Sequence, residues 1–351
     1  MEPVSDHRIT EYEGLPSGFV DVSARELATC LPGPSLIHLP GRRSPPLFVS
    51  VLMHGNETTG LEAVQALLAD YAGRELPRAL SVFVGNVRAA QADVRYLDDQ
   101  ADFNRVWPGT PLADQPEAGM TQAVWERMRQ RGCFASIDIH NNTGRNPHYA
   151  CINRLEPSFL ALASLFSRTI VYFTWPRGVQ SLAFADLCPS VTVECGQPGN
   201  PAGADRAHEL VDAALRLDHV PSHVVATDLG VFQTIATAYV ASDCDLNFEP
   251  GEADLTLVRD LDTLNFHELP TGTPFARVRR HPKPIEVLDD EGRDVTDRYL
   301  GRVGERIVTR RPVTPAMLTL DPRIVRQDCL CHLMERVDVR RSLGALRGPV
   351  R

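Results

Sequence analysis

Several common features are missing from this sequence, and each gap narrows the function. No stretch approaches the roughly 18 apolar residues that a membrane-spanning helix needs, so no membrane partner is expected. Positive charge is not in excess: 36 Lys and Arg stand against 45 Asp and Glu, a net charge of −9. Without a broad basic face, nothing is available to displace the counterions of a phosphate backbone, and a generic nucleic-acid binder is excluded. The one basic cluster, Arg340, Arg341, Arg347 and Arg351, reads as a solvated end. The opening MEPVSDHRITEYEGLP is polar and acidic, with no basic segment followed by an apolar one, so no secretory leader is expected. The eight cysteines (30, 133, 151, 188, 195, 244, 329 and 331) form no CxxC pair. Most lie in apolar runs, which fits reduced thiols in a cytoplasm better than a disulfide framework. There is no internal repeat and no low-complexity tract.

What the chain does have is length and apolar content. It has 351 residues, of which 43% are hydrophobic and 23% charged, enough for a real core and comfortable for two domains. Residues 1–46 alternate short apolar pieces with Gly and Pro. From there to about 220, strand patterns alternate with helix patterns. LFVSVLMHG (47–55), LSVFVGN (80–86), TIVYFTW (169–175) and SVTVECG (190–196) read as strands, and FASIDIHNNTG (134–144) as a strand running into a polar turn. Residues 60–73, 121–132, 158–168 and 204–220 read as helices, and 95–111 as a loop. This predicts an α/β domain over 1–221, a mixed sheet with helices on both faces. After Pro221 the texture changes to short β-like runs such as HVVATD, TIATAYVAS, FARVRR, IEVLD and RIVTR, punctuated by Gly and Pro. A smaller, mostly β domain is expected over 222–351.

The sharpest chemical feature is MHGNETTG. His54 closes an apolar strand, and Glu57 follows three residues later, just before a helix. At such a corner both can aim into one cleft. Catalytic zinc takes about three protein ligands and an open position, and His₂Glu is one such set. A second His at a strand end completes it: His140, in SIDIH. Alone, His140 would read as a hydrogen-bonded structural histidine. Asp138, two residues before it, shares its strand face and is a candidate to orient it. Glu194 ends another apolar strand before Gly196. A carboxylate in mid-strand would be costly to bury, but at the carboxyl end it can face the crevice where open α/β sheets bind ligands. Its plain alternative is an ion-paired structural role. His54, Asn86, His140 and Glu194 all sit at such ends. RYLDDQADFNRVWPG holds Arg95, Asp102, Asn104 and Arg105; arginine forks suit a carboxylate, though loop arginines are more often solvated.

HGNE, then GNxxAxxxxxRYxxxxxDxNR, then DxHxxTG, then VTVECG together resemble the succinylglutamate desuccinylase/aspartoacylase family, a branch of the zinc carboxypeptidase-like hydrolases. The motifs run from His54 to Gly196, and the β-rich region extends the likeness to roughly 320. The resemblance implies that His54, Glu57 and His140 hold one zinc ion per chain and that Glu194 is the general acid/base. It implies that Asn104 and Arg105 contact a substrate carboxylate and that Arg95 lies near the scissile carbonyl or that carboxylate, with Arg105 also helping to polarise the carbonyl. Two departures stand out. Asp-Phe precedes the Asn-Arg pair in place of the commoner Asp-Leu. After His140 the chain reads NNTGRNPHYACIN, unlike the desuccinylase-like and aspartoacylase-like versions. Arg145, Asn146 and His148 could therefore line a different acyl or side-chain pocket; the plain alternative is a surface loop. Tyr299 is a poorly aligned match to a substrate-reaching tyrosine of the family's second domain. Trp175 and Arg177 precede the Glu194 strand and could form a rim. CLCH (329–332) cannot build a tetrahedral metal site unaided and reads as a buried strand.

The expectation is a cytoplasmic, zinc-dependent amidohydrolase that removes the acyl group from a small N-acyl amino acid. Zinc activates water, Glu194 takes its proton, and Glu194 then returns a proton to the leaving amine. Arg95 or Arg105 stabilises the oxyanion, and Arg95, Arg105, Asn104 and Arg145 bind substrate. Two other readings stay open: a metallocarboxypeptidase acting on peptide C-termini, and a zinc-binding protein of the same fold without turnover. A homo-oligomer is compatible with all three.

Overall fold

The computed structural model describes residues 9–223 and 228–338. The basic tail and part of the HVVATD run lie outside the described residues. The chain forms two compact units. The first comprises residues up to Asn141 together with His148–Gly230; the second comprises Asn142–Pro147 and Val231–Asp338. The sequence reading draws one boundary at 221, whereas the chain enters the second unit at Val231 and also lends it a six-residue segment directly after Asn141.

The first unit holds strands β1 (Thr10–Glu13), β2 (Ser35–Leu39), β3 (Leu47–Val51), β4 (Leu80–Val84), β5 (Ala135–His140), β6 (Tyr149–Ile152), β7 (Thr169–Tyr172) and β8 (Ser190–Glu194). Its helices are α1 (Thr59–Asp70), α2 (Val87–Ala92), α3 (Pro116–Arg131), α4 (Pro157–Ser164), α5 (Gln180–Phe184) and α6 (Pro201–Arg216). The sheet order in this unit is β1-β2-β4-β3-β5-β8-β6-β7. Neighbours β4, β3, β5 and β8 are parallel, while β2/β4 and β6/β8 are antiparallel, so the sheet is mixed as expected.

The central strands are buried throughout, because both faces are covered. The pleat sorts their residues. Phe48 stacks on Phe184 of α5 (centroids 4.4 Å apart), within an apolar cluster that includes Val124 and Met128 of α3. Val51 and Ile139 face the other way, against Gly60 of α1. Ser50, Ser136, Asp138 and His140 fall on the α5 side by the same alternation, and Gln180 of α5 donates to Ser136 Oγ (2.7 Å). Helix ends follow their sequence signals. Asn200 caps α6 by accepting from Ala202 N–H, with Pro201 in the first turn, and α3 stops before Gly132.

The second unit is mostly β, as the texture after Pro221 predicts. One antiparallel group orders β13 (Ile285–Leu288), β9 (Gly230–Val240), β17 (Cys331–Val337) and β16 (Thr314–Ala316). A five-stranded sheet orders β10 (Leu246–Asn247), β11 (Leu255–Leu257), β12 (Pro274–Val278), β15 (Arg306–Thr309) and β14 (Leu300–Val303). Helices α7 (Thr296–Tyr299) and α8 (Pro322–Gln327) are short. Leu255, Phe275, Val287, Tyr299, Leu330, Cys331 and Leu333 share its core. Of CLCH, Cys331 and His332 open β17, while Cys329 and Leu330 lie buried just before it; His332 Nδ1 is on Thr237 Oγ1 (3.1 Å). All eight cysteines are free thiols. Burial pushes the thiols of Cys151, Cys195 and Cys331 up, which leaves them unreactive. Among the described residues no helix is long and apolar enough to cross a membrane.

Candidate metal centre

Because β4, β3, β5 and β8 are adjacent and parallel, their carboxyl ends open side by side. His54, Asn86, His140 and Glu194 all stand there. Leaving β3, the chain turns through Leu52 (φ 54°), and Gly55 then passes against α2. A Cβ at Gly55 would lie 2.1 Å from the Ala89 carbonyl carbon, so only glycine permits this approach. The Gly55 N–H donates to Arg95 O (3.0 Å), fixing the turn that carries His54. Asn86 caps α2 through Ala89 N–H (3.1 Å) and donates to Gln100 Oε1 (2.9 Å), which steadies the loop that follows.

His54, Glu57 and His140 converge, and their ligand atoms all lie within 4.8 Å of one another. Glu57 Oε1 is 2.7 Å from His54 Nδ1, and Oε2 is 2.8 Å from His140 Nδ1. The far nitrogen of each imidazole is held by another carboxylate: His54 Nε2 donates to Asp102 Oδ1 (3.0 Å) and His140 Nε2 to Asp138 Oδ2 (2.8 Å). Ser50 Oγ donates to Asp138 Oδ1 (2.6 Å), and Asn104 N–H donates to Asp102 Oδ1 (2.8 Å). With a proton committed at each Nε2, the Nδ1 lone pairs are the ones left to bind a cation beside Glu57. Carboxylate-anchored histidines of this kind are what metal sites use to fix tautomer and ring direction. The donor set therefore fits a divalent cation.

The protonation balance agrees. Burial opposes the charge of His140, but Asp138 and Glu57 outweigh it and raise the imidazole well above its ordinary value. For His54, burial and Arg95 oppose the charge while Glu57 and Asp102 carry it upward. Burial works against Glu57 and Asp102 too, yet the facing histidines, with Arg95 beside Asp102, hold both well below the usual carboxylate range. Two acids and two bases facing one another in this way favour the charged form of all four. Asp102→Asn and Asp138→Asn, each removing one anchor, are expected to weaken divalent-cation affinity by about 10- to 100-fold. Competition with a chromogenic chelator reads this; unchanged affinity in both variants would remove the anchoring role.

The remaining candidates divide between the units. Glu194, 9% exposed, is paired in register with His140 across β5/β8. Arg95 places Nη2 3.1 Å from Asp102 Oδ2 and Nη1 3.7 Å from Glu57 Oε1, so its charge lies against the donor set. Asn104 Oδ1 accepts from Gln180 N–H (3.0 Å), which turns its amide NH₂ toward His140 Nε2 at 3.3 Å. That is a close approach and not a hydrogen bond, because the Nε2 proton goes to Asp138. Arg105 is half-buried, with Nη1 on Asn104 O (2.9 Å). The 173–180 segment packs on this pair: Gly178 leaves no room for a side chain beside Arg105 O, and its own carbonyl accepts from Trp107 N–H (2.9 Å). Within that segment Arg177 is exposed and Trp175 half-buried. Arg145 belongs to the second unit, where its exposed guanidinium stands 3.5 Å from Asp262. Tyr299 lies in that unit's core. Sequence reasoning gave Asp102 no role and passed over Gln180 and Asn141, which hold the site from outside the ligand set.

The Succinylglutamate desuccinylase/Aspartoacylase catalytic domain matches residues 44–219, half of the chain and all of the site just described. The chain belongs to the succinylglutamate desuccinylase/aspartoacylase family. A succinylglutamate desuccinylase of Burkholderia thailandensis is 37% identical over 111 residues, 28% of this chain and 31% of that relative. The chain thus matches about a third of that relative's length. The succinylglutamate desuccinylase of Chromobacterium violaceum superposes with a TM-score of 0.54 at 19% identity, over 85% of this chain and 87% of that one. A succinylglutamate desuccinylase/aspartoacylase of Rhodobacter sphaeroides gives 0.54 at 17% identity, over 86% and 88%. At those identities the two structures speak for the fold. Family membership rests on the domain match.

Proposed function

We propose that this family member is a zinc-dependent deacylase that hydrolyses the amide of a small N-acyl amino acid. The observation that carries the reading is the His54–Glu57–His140 donor set, anchored by Asp102 and Asp138, with Glu194 on the next strand at the register position of His140. A bare metal-holding scaffold has no need of that fourth carboxylate. His54, Glu57 and His140 would hold the zinc ion, which supplies Lewis acidity toward water and a carbonyl oxygen.

The chain's own residues do the rest. Glu194 takes a proton from the attacking water as the oxygen bonds to the acyl carbon. Arg95, held against Glu57 and Asp102, keeps positive charge beside the developing oxyanion. As the C–N bond breaks, Glu194 returns the proton to the leaving nitrogen, giving a carboxylic acid and a free amine. Arg105 and Asn104 bind the amino-acid carboxylate. A chain of net charge −9 needs such a local positive site to hold an anionic substrate.

The test is amine release by zinc-loaded protein across N-acetyl, N-succinyl and longer N-acyl amino acids, with C-terminally free dipeptides alongside. Turnover of one acyl class is the expected result and names the substrate. Turnover of dipeptides alone would replace this reading with a carboxypeptidase. No turnover by a sample with confirmed metal would count against a deacylase.

A further inference from the structure

The strand pairing that aligns the site stops just where the site begins. β5 and β8 pair in register up to His140 and Glu194, and the last rung beyond them is Cys195 N–H to His140 O (2.9 Å). The next residue, Gly196, turns away at φ +73° against the imidazole of His148; a side chain there would meet His148 Nε2 at 3.1 Å. Glu194 itself is paired on its other side with Tyr149 of β6, and the turn that follows it leaves the ladder with β5 at Gly196.

Asn141 is placed to hold that turn. It is 4% exposed, and its three polar contacts reach three different parts of the site. Its backbone N–H donates to Glu57 Oε2 (3.1 Å). Its side-chain carbonyl accepts from Thr59 N–H at the start of α1 (3.4 Å). Its side-chain NH₂ donates to Gly196 O (2.8 Å). The amide thus spans from the helix that follows Glu57 to the turn that follows Glu194. No other side-chain type of this size offers a donor and an acceptor at opposite corners in the same plane. We infer that Asn141 is a positioning residue, which fixes the distance between the general base Glu194 and the donor set by tying the Gly196 turn to the start of α1.

The kinetic consequence rests on the deacylase reading; the tie itself does not. Two arms keep them apart. In metal-loaded Asn141→Ala, hydrogen–deuterium exchange over residues 195–199 is expected to quicken, with bound metal per chain unchanged. On the substrate that the panel identifies, kcat is expected to fall about 10- to 100-fold, as misplacement by an ångström does, with KM unchanged. In a Glu194→Gln background the same substitution is expected to cost nothing further, because it acts through Glu194. Unchanged exchange, a kcat loss that tracks lost metal, or an equal loss in both backgrounds would each overturn the proposal. If no acyl amino acid is turned over by the wild type, the deacylase reading falls and the exchange arm decides the tie alone. Should Asn141→Ala not fold, Asn141→Asp, which keeps size and acceptor but loses the NH₂ donor, carries the same measurements.

Discussion

Glu194→Gln is expected to lower kcat for the N-acyl amino acid by about 10²- to 10⁴-fold, the span that removal of a general acid/base commands. The substitution keeps shape and volume. Glu194 also stands outside the donor set, since the converging ligand atoms come from His54, Glu57 and His140. Bound metal and thermal midpoint should therefore stay where they were, and so should KM, because the proton transfers occur after binding. That combination separates a proton carrier from its two rivals. A structural glutamate at a strand end would show its loss in the midpoint. A fourth ligand would show it in metal content. Full activity in the glutamine variant would remove Glu194 from the chemistry.

Legibility of the site in the sequence divides along a physical line. His54, His140 and Glu194 can be found because each closes an apolar run, and the end of a run is a local property. Asp138 can be found for the same reason, since period-two alternation puts it on the face of His140. Asp102 acts on His54 across 48 residues, from a loop with no periodicity, and nothing local marks it. Its one trace is its place ahead of the Asn-Arg pair. The order β4-β3-β5-β8, which makes four strand ends into one site, comes from long-range pairing that alternation does not encode. Helices α2 and α5, six and five residues long, are too short to show an amphipathic period. Segment 142–147 reads as a polar turn after a strand and then a pocket lining or surface loop, and nothing local shows that it is stitched into the second unit. Thr143 Oγ1 donates to Thr319 Oγ1 (2.9 Å), Asn265 Nδ2 donates to Arg145 O (3.4 Å), and Met317 N–H donates to Asn146 Oδ1 (3.1 Å). Gly144 explains why the segment can lie there, since a Cβ would meet Leu318 O at 1.8 Å.

Stripping the metal is expected to abolish turnover, and adding zinc to restore it, with a pH dependence whose sign follows from the site. Without a cation, His140 and His54 are raised by the carboxylates that face them, so protons occupy the space between their Nδ1 atoms and Glu57. Their contribution to stability is complete below the ordinary imidazole value and is lost as pH rises through the raised ones. Glu57 and Asp102 are lowered, so theirs is present above the ordinary carboxylate range and is lost only as pH falls toward the lowered values. The stripped protein therefore weakens on the alkaline side. Metal binding must expel the imidazole protons, so affinity rises with pH, by about tenfold per unit for each proton displaced. The two trends act in the same direction. The gain in thermal midpoint on adding zinc should grow as pH is raised from mildly acidic to mildly alkaline, and titration in two buffers of different ionisation enthalpy should reveal proton release. A gain that shrinks with rising pH would mean that the cation binds elsewhere than between His54, Glu57 and His140.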